Sequence, residues 1–412
     1  MKHIFGFALF ATFVLSLGYS QNAPIPAPAE ANNIKKTAIE QIKESVVFLQ
    51  THWSGAGAPL IRDDECKPAE GSKCEVGTAF LIFKELPELG KDPHGDGLGI
   101  AYLVTAKHMI RQVNNDHQPG PYAQYSTIRF NTVKPVDAMG KSWVTADFDI
   151  IDGRGDLEWF TDVTDPIADV AVIPINLGES LEYKTTPVNL LATKDVIKQL
   201  NVNENDEIFF TGLFTGYWGA LKNYPIVRHG RLALLTDEKL ETERTAPGKK
   251  TDIILAEVTS FGGNSGSPVF LRIGPLREGL DINMRLGYQY YLLGVMKGFV
   301  SDEEAKQNAG IATIVPADKI ADILASDKIR AYEARFVAHF LANRGDFKGA
   351  EPKFQESISI LERVEPVGSQ LVATLRDFAA MLQNAKRMED SKKVLAKADN
   401  IASKPVSAVP QP

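Results

Sequence analysis

The sequence predicts a mainly β protein, a barrel or sandwich of antiparallel strands, followed by a C-terminal α-helical repeat module. Three observations carry this. Between residues 46 and 315, short runs rich in Val, Ile, Phe and Tyr alternate with Gly, Pro and Asp turns. After Val315 the strand signals stop, and alanine, leucine and charged residues take over. Within that last stretch a pattern recurs with a 41-residue offset, Ala338, Leu341, Asn343, Phe347 and Phe354 aligning with Ala379, Leu382, Asn384, Met388 and Leu395.

In chain order, residues 1–20 read as a secretory signal. Lys2 and His3 precede an apolar core at 4–17 and a small-x-small site, Gly18-Tyr19-Ser20. That core is shorter than the roughly 20 residues a bilayer requires, so a stable membrane anchor is not expected and the chain should be exported, periplasmic or secreted. Residues 21–33, rich in Pro and Ala, read as an extended leader. A short helical pattern at 34–45, with Ile39, Ile42 and Val46 on one side, runs into a first strand at 46–50. Further strands are expected at 77–83, 99–105, 125–130, 170–175, 207–210, 226–235, 253–258, 268–272, 290–296 and 310–315. Pro316-Ala317-Asp318 opens a helix through Leu324, a domain boundary falls near Ser326, helical repeats fill 327–403, and 404–412 is a frayed tail.

Composition narrows the function classes. At 412 residues, with 44% hydrophobic and 24% charged residues, the chain has room for two or three domains. A formal charge of −7 argues against nucleic-acid binding. The two cysteines, Cys66 and Cys74, lie close together in a polar loop; in an exported protein such a pair is most economically a disulfide, and a metal site would need more ligands nearby. Asp92-Pro93-His94-Gly95-Asp96-Gly97 lacks the ligand spacing of a calcium loop and reads as a solvated turn. For Phe214-Thr215-Gly216-Tyr217-Trp218-Gly219, contact with substrate and a structural role both stay open. No metal or organic cofactor is expected.

Chemistry is concentrated in three segments. Phe261-Gly262-Gly263-Asn264-Ser265-Gly266-Ser267-Pro268 has the form of a nucleophile loop. Its glycines let the backbone turn sharply, so that the N–H groups of Gly263 and Ser265 can form an oxyanion hole. His108 ends an apolar strand, and Asp169 begins another. A histidine can take the Ser265 proton and return it, and a buried carboxylate can fix the ring and stabilise the imidazolium. Each residue alone is most often a turn, cap or surface residue. Together, in the order His108, Asp169, Ser265 and in an all-β setting, they match one of the few chain orders in which this triad occurs.

Over residues 34–325 the chain resembles the trypsin-like (chymotrypsin-fold) serine peptidases of bacterial secreted and periplasmic type. The resemblance rests on Gly77-Thr78-Ala79-Phe80-Leu81-Ile82, Val104-Thr105-Ala106-Lys107-His108, Asp169-Val170-Ala171-Val172, Gly263-Asn264-Ser265-Gly266-Ser267-Pro268 and Gly310-Ile311-Ala312-Thr313-Ile314-Val315-Pro316. It implies a peptidase domain at 34–326 built as a double antiparallel β-barrel of two six-stranded barrels, with peptide-bond hydrolysis in the cleft through an acyl-enzyme. It also implies a substrate pocket with Thr259 at its base, Met296, Lys297 and Gly298 on one wall and Gly310 on the far side. Asn264 stands where zymogen-activated relatives carry an aspartate, so activation by a new N-terminus is not expected. Thr259 brings no carboxylate to the pocket base, so cleavage after Lys or Arg is not expected, and small or medium apolar groups are the expected fit. The helical tail resembles tetratricopeptide repeats in a longer variety, and either binds a protein partner or caps the barrel. A non-catalytic binding module on the same fold, with a blocked or inverted oxyanion loop, remains the alternative to an endopeptidase, and an esterase is a third reading.

Overall fold

The computed structural model describes residues 36–54, 72–113, 119–123, 125–241, 248–274, 287–302 and 307–404. The expected signal at 1–20, the leader at 21–33, Cys66 with its proposed bridge to Cys74, and the tail beyond residue 404 lie outside the described residues.

Helix α1 (Ala38–Lys43) begins where Thr37 and Glu40 satisfy each other's N–H groups, at 3.3 and 2.7 Å, a capping box. It leads into β1 (Val46–Ser54), β2 (Ser72–Glu85) and β3 (Gly99–Thr105), then the ribbon β4 (Arg111–Val113) and β5 (Pro119–Tyr122). After these come β6 (Tyr125–Asn131), β7 (Trp143–Asp149), β8 (Phe160–Thr161) and β9 (Ala171–Ile175). The first sheet has eight strands, ordered β7-β6-β1-β2-β3-β9-β8, with β10 (Thr186–Pro187) pairing β2 in parallel. In β2 the consecutive Ala79, Phe80, Leu81 and Ile82 are all fully buried, so this strand carries core on both faces.

Where the resemblance implies a first six-stranded barrel, the structure has this eight-stranded sheet. Its edge strands β7 and β8 are not paired with each other among the described residues; the chain at 150–159 connects them, and within it Ile151 pairs with Leu157.

Beyond α2 (Lys194–Gln199), the second half is the expected closed six-stranded antiparallel barrel. Its order is β11 (Glu207–Gly212), β12 (Ile226–Leu234), β13 (Ile254–Glu257), β16 (Gln307–Pro316), β15 (Gln289–Asp302) and β14 (Pro268–Ile273). Phe210, Leu232, Ile254, Val269, Leu293 and Ile314 fill it. The chain is thus mainly β, and a helical module completes it.

That module comprises α3 (Ala317–Ala325), α4 (Asp327–Asn343), α5 (Phe347–Val364), α6 (Ser369–Asn384) and α7 (Met388–Ala402). Phe347 and Met388, paired by the sequence repeat, each open the second helix of a hairpin. Asp346 caps α5 by accepting the Gly349 N–H at 2.9 Å. The helices are docked on the first sheet. Ile329 and Val337 of α4 belong to the same core as β1, β2 and β3. Tyr102 of β3, fully buried, donates to Glu333 at 2.8 Å, and Lys84 of β2 pairs with Glu333 at 2.7 Å and donates to the Leu324 carbonyl at 3.1 Å. Arg154 donates to the carbonyls of Ala402 (2.8 Å) and Val367 (3.0 Å) at the far end of the module.

Replacing Glu333 by Ala strands the buried Tyr102 hydroxyl. Urea unfolding should show a loss of about 1–3 kcal/mol; a loss below about 0.5 kcal/mol would show that this contact does not hold the module in place.

Candidate active site

Strand register brings the three segments together. β3 and β9 pair with Thr105 opposite Ala171, so His108, in the 3-10 turn after β3, and Asp169, just before β9, emerge at one end of the sheet. Asp169 grips His108 twice: the His108 backbone N–H donates to Oδ1 at 2.8 Å and ring Nδ1 lies 2.7 Å from Oδ2. Their side chains are only 12% and 9% exposed. Burial alone would raise the Asp169 pKa, but the charge and hydrogen bonds of His108, with the Lys297 charge behind them, hold this carboxyl well below the usual Asp range. Next to His108, burial pushes the Lys107 ammonium down to about 8, and its Nζ donates to the Pro166 carbonyl at 2.6 Å.

Ser265 comes from the closed barrel, in the turn ahead of β14, and one residue of the first sheet locks that turn. Thr78 of β2 donates its N–H to the Ser265 carbonyl (2.9 Å) and its hydroxyl to the Gly263 carbonyl (2.8 Å), and its Oγ1 accepts the Leu213 N–H (2.9 Å). Thr105 closes the set by donating to the Thr78 carbonyl at 2.8 Å. Gly266, at φ +85°, lies so close that a Cβ there would sit 2.0 Å from that same carbonyl, which leaves glycine as the residue that fits. Asn264, 1% exposed, is bonded at both ends of its amide: its Oδ1 accepts the Phe261 N–H at 2.8 Å and its Nδ2 donates to the Leu213 carbonyl at 2.6 Å. Gly263 has φ +94°, and neither its N–H nor that of Ser265 has a hydrogen-bond partner among the described residues.

The Ser265 hydroxyl donates to the Lys297 carbonyl at 3.2 Å, and no hydrogen bond joins it to His108. The physical reason lies in β15. Its ladder with β16 slips between Met296 and Gly298, leaving Lys297 as the extra residue of a bulge, and the bulge turns that carbonyl toward the hydroxyl. Rotation about one single bond takes Oγ away from it, and catalytic hydrogen bonds are often formed only once substrate is bound.

The residues expected to form the pocket lie on β15, on β16 and in the turn after β13. Met296 is fully buried in the barrel core, so its side chain is packing rather than pocket wall. Lys297 is buried behind the nucleophile loop. Thr259 is exposed, and its carbonyl accepts from Arg228 at 3.4 Å. Gly310, at φ +80°, lies beside it, accepting the Val258 N–H at 2.9 Å, and Gly298 is half-buried opposite Thr313. The sequence assigns no site role to Thr78 or Thr105, although both lie in segments that carry the resemblance, and it places Lys297 in the pocket wall rather than in a bulge against Ser265. Among the described residues no group of three or more His, Cys, Asp or Glu could hold a metal ion.

A buried ion cluster supports the turn that carries Asp169. Lys319 of α3 reaches Asp165 and Asp252, each at 3.1 Å, and Asp162 at 3.5 Å, while Thr251 donates to Asp165 at 3.0 Å. Burial alone would raise these carboxyls. Hydrogen bonds from Thr164 and nearby N–H groups to Asp162, from Lys319 and Lys239 to Asp165, and from Lys194 and Lys319 to Asp252 outweigh it, and all three lie below the usual Asp value.

No family model matches the chain, and no curated protein sequence does. Solved structures give distant likenesses. Rv3671c from M. tuberculosis, a serine-to-alanine mutant in an inactive form, is 14% identical with a TM-score of 0.33, over 73% of this chain and 96% of that one. The thermostable serine protease AL20 from an extremophilic microorganism is 12% identical at a TM-score of 0.31, over 68% and 95%. The drosophila Grass clip serine protease of the Toll pathway is 12% identical at 0.34, over 77% and 76%. Likenesses of this size leave the chemistry to be read from the chain's own residues.

Thr78→Val keeps the shape but removes the hydroxyl, leaving the Gly263 carbonyl and Leu213 N–H unpaired in a buried place. Chemical unfolding should show a loss of about 2–3 kcal/mol; a neutral effect would mean that the loop is held by other contacts. Lys319→Met should destabilise in a pH-dependent way. Acids with a lowered folded pKa add stability above their unfolded value, about 3.9, and lose it as pH falls through the lowered one. The stability gap between wild type and variant should therefore be wide near neutral pH and narrow below about pH 4; a gap independent of pH would refute the ionic account.

Proposed function

We propose that this chain is an exported serine endopeptidase in which His108, Asp169 and Ser265 form the triad and the N–H groups of Gly263 and Ser265 hold the oxyanion. The observation that carries the reading is the two-point grip of Asp169 on His108. It fixes the ring with Nδ1 toward the carboxylate and leaves Nε2 for a proton. Support comes from the open N–H groups beside Ser265.

In the proposed reaction the Ser265 hydroxyl leaves the Lys297 carbonyl, gives its proton to His108 Nε2 and attacks the scissile carbonyl. The oxyanion is stabilised by the two N–H groups, and Asp169 stabilises the imidazolium. His108 then protonates the leaving amine, and water releases the acyl group by the same steps in reverse roles. Zymogen-style activation is not part of the proposal, because Asn264 is held by Phe261 and Leu213 and needs no new N-terminus. Export rests on the N-terminal signal pattern. In the helical module we propose a tetratricopeptide-like cap of the sheet, with α5–α7 offering any surface for a protein partner.

The bond from Ser265 to Lys297 favours a second reading, a binding protein that keeps the fold without turnover. One experiment separates the two. A fluorophosphonate probe should label wild type and not Ser265→Ala, and that variant should lose roughly 10⁶-fold in kcat while unfolding at the same denaturant concentration. Equal labelling of the two proteins would leave only the binding reading.

A further inference from the structure

The loop containing Ser265 is flanked by an aromatic platform that the triad does not use. Phe214 stacks on Tyr217, with ring centroids 5.6 Å apart, and lies 5.9 Å from Phe261. Tyr217 is 73% exposed and Phe261 43%. The platform abuts the nucleophile loop directly, since a Cβ on Gly263 would meet Thr215 at 2.9 Å. Over it lies Arg228 of β12, its guanidinium 4.6 Å from the Phe261 ring and 5.7 Å from that of Phe214.

Arg272 pairs with Glu207 and Arg335 with Asp377, Arg154 donates to two carbonyls, and Arg129 and Arg111, which also lie over aromatic rings, each donate to a carbonyl at 2.6 and 3.0 Å. Arg228 has no carboxylate partner among the described residues. Of its five donors, one makes a contact, a long 3.4 Å bond to the Thr259 carbonyl, and buried Nε makes none. A planar cation fixed against two rings, with most of its donors unused, is a ready partner for a carboxylate.

We propose that Arg228, held over Phe261 and Phe214, forms a subsite beside Ser265 that receives an acidic side chain of the peptide substrate. This deepens the peptidase reading and rests on it. Chain geometry bounds the distance. Phe261 lies four residues before Ser265, and so its Cα is at most about 14 Å from that of Ser265. An extended peptide covers that span in about four residues, so the acidic residue lies within about four positions of the bond cut. The platform's exposed rings, Phe261 and Tyr217, cover the aliphatic stem of the same side chain.

The test is cleavage of a proteome-derived peptide library by the full chain, with cut sites mapped by mass spectrometry. Wild type should enrich Asp and Glu at one position within about four residues of the cut. Matched peptides with Glu against Gln at that position should differ roughly 10- to 100-fold in kcat/KM, as for a hydrogen bond to a charged group. Arg228→Gln should erase that ratio, Arg228→Glu should turn the preference toward Lys and Arg, and Arg228→Lys, which keeps the charge, should retain part of it. Cleavage and fluorophosphonate labelling with no acidic enrichment, or an enrichment that survives in Arg228→Gln, would overturn the subsite alone. A wild type that neither cleaves nor takes the probe would overturn the peptidase reading, and the subsite with it.

Discussion

The site depends on one residue that is in neither the triad nor the pocket. Thr78 sits midway along β2 in the first sheet and satisfies three backbone groups of the second half, at Ser265, Gly263 and Leu213. His108 and Asp169 come from one sheet and Ser265 from the other, so their separation is only as fixed as this junction. A buried hydroxyl that donates once and accepts once tolerates little displacement in either direction, because each lost bond leaves a backbone group without water or partner. Gly266 follows from the same constraint, as the loop runs too near the Thr78 carbonyl for any Cβ.

The Lys319 cluster imposes a second constraint, of a different kind. It joins Asp162 and Asp165, ahead of Asp169, to Asp252 of the second half and to α3. Desolvating these charges offsets much of their attraction, so its value is geometric more than energetic. A carboxylate that loses Lys319 would be left charged in a buried place, which restrains the turn carrying Asp169 from drifting. Hydrogen bonds therefore set the nucleophile loop and ions set the Asp169 turn, both spanning the same two halves.

Most of the fold was legible in the sequence because buried strands announce themselves by apolar runs. All ten strands expected from residue 77 onward are present, and so is the helical repeat. The missed pieces had no such signal. β8 and β10 are two residues each and exist only through their partners, while β7 is an edge strand of half-buried residues interrupted by Asp147. The pairing of His108 with Asp169 follows residue type and chain order, since the chemistry of an oriented imidazole limits both. The bulge at Lys297 could not be read in this way, because a bulge is a mismatch between two strands, and neither strand's sequence contains the other. The same limit moved Met296 from the pocket wall into the core: slipping the ladder by one residue changes which face each side chain takes.

The helical module shows how a local pattern can leave a choice that packing decides. Two helix hairpins are few for a free-standing solenoid, which usually needs about three units to enclose a core. Here the first sheet supplies the missing layer. α4 has two working faces: Ile329 and Val337, with Tyr332 and Phe336 beside them, enter the core of the sheet, whereas Ala331 and Ala338, seven residues apart, enter the core of the helices. The division by size has a simple cause. Small residues let α5 and α6 approach α4 closely, and large ones fill the wider gap to a pleated surface. Arg335 and His339, both bonded to Asp377 of α6, lie between the two faces and tie the hairpins together. A helix apolar on two sides is one that something must cover twice, and with the sheet on one side and α5–α6 on the other, α4 leaves no apolar face waiting for a partner.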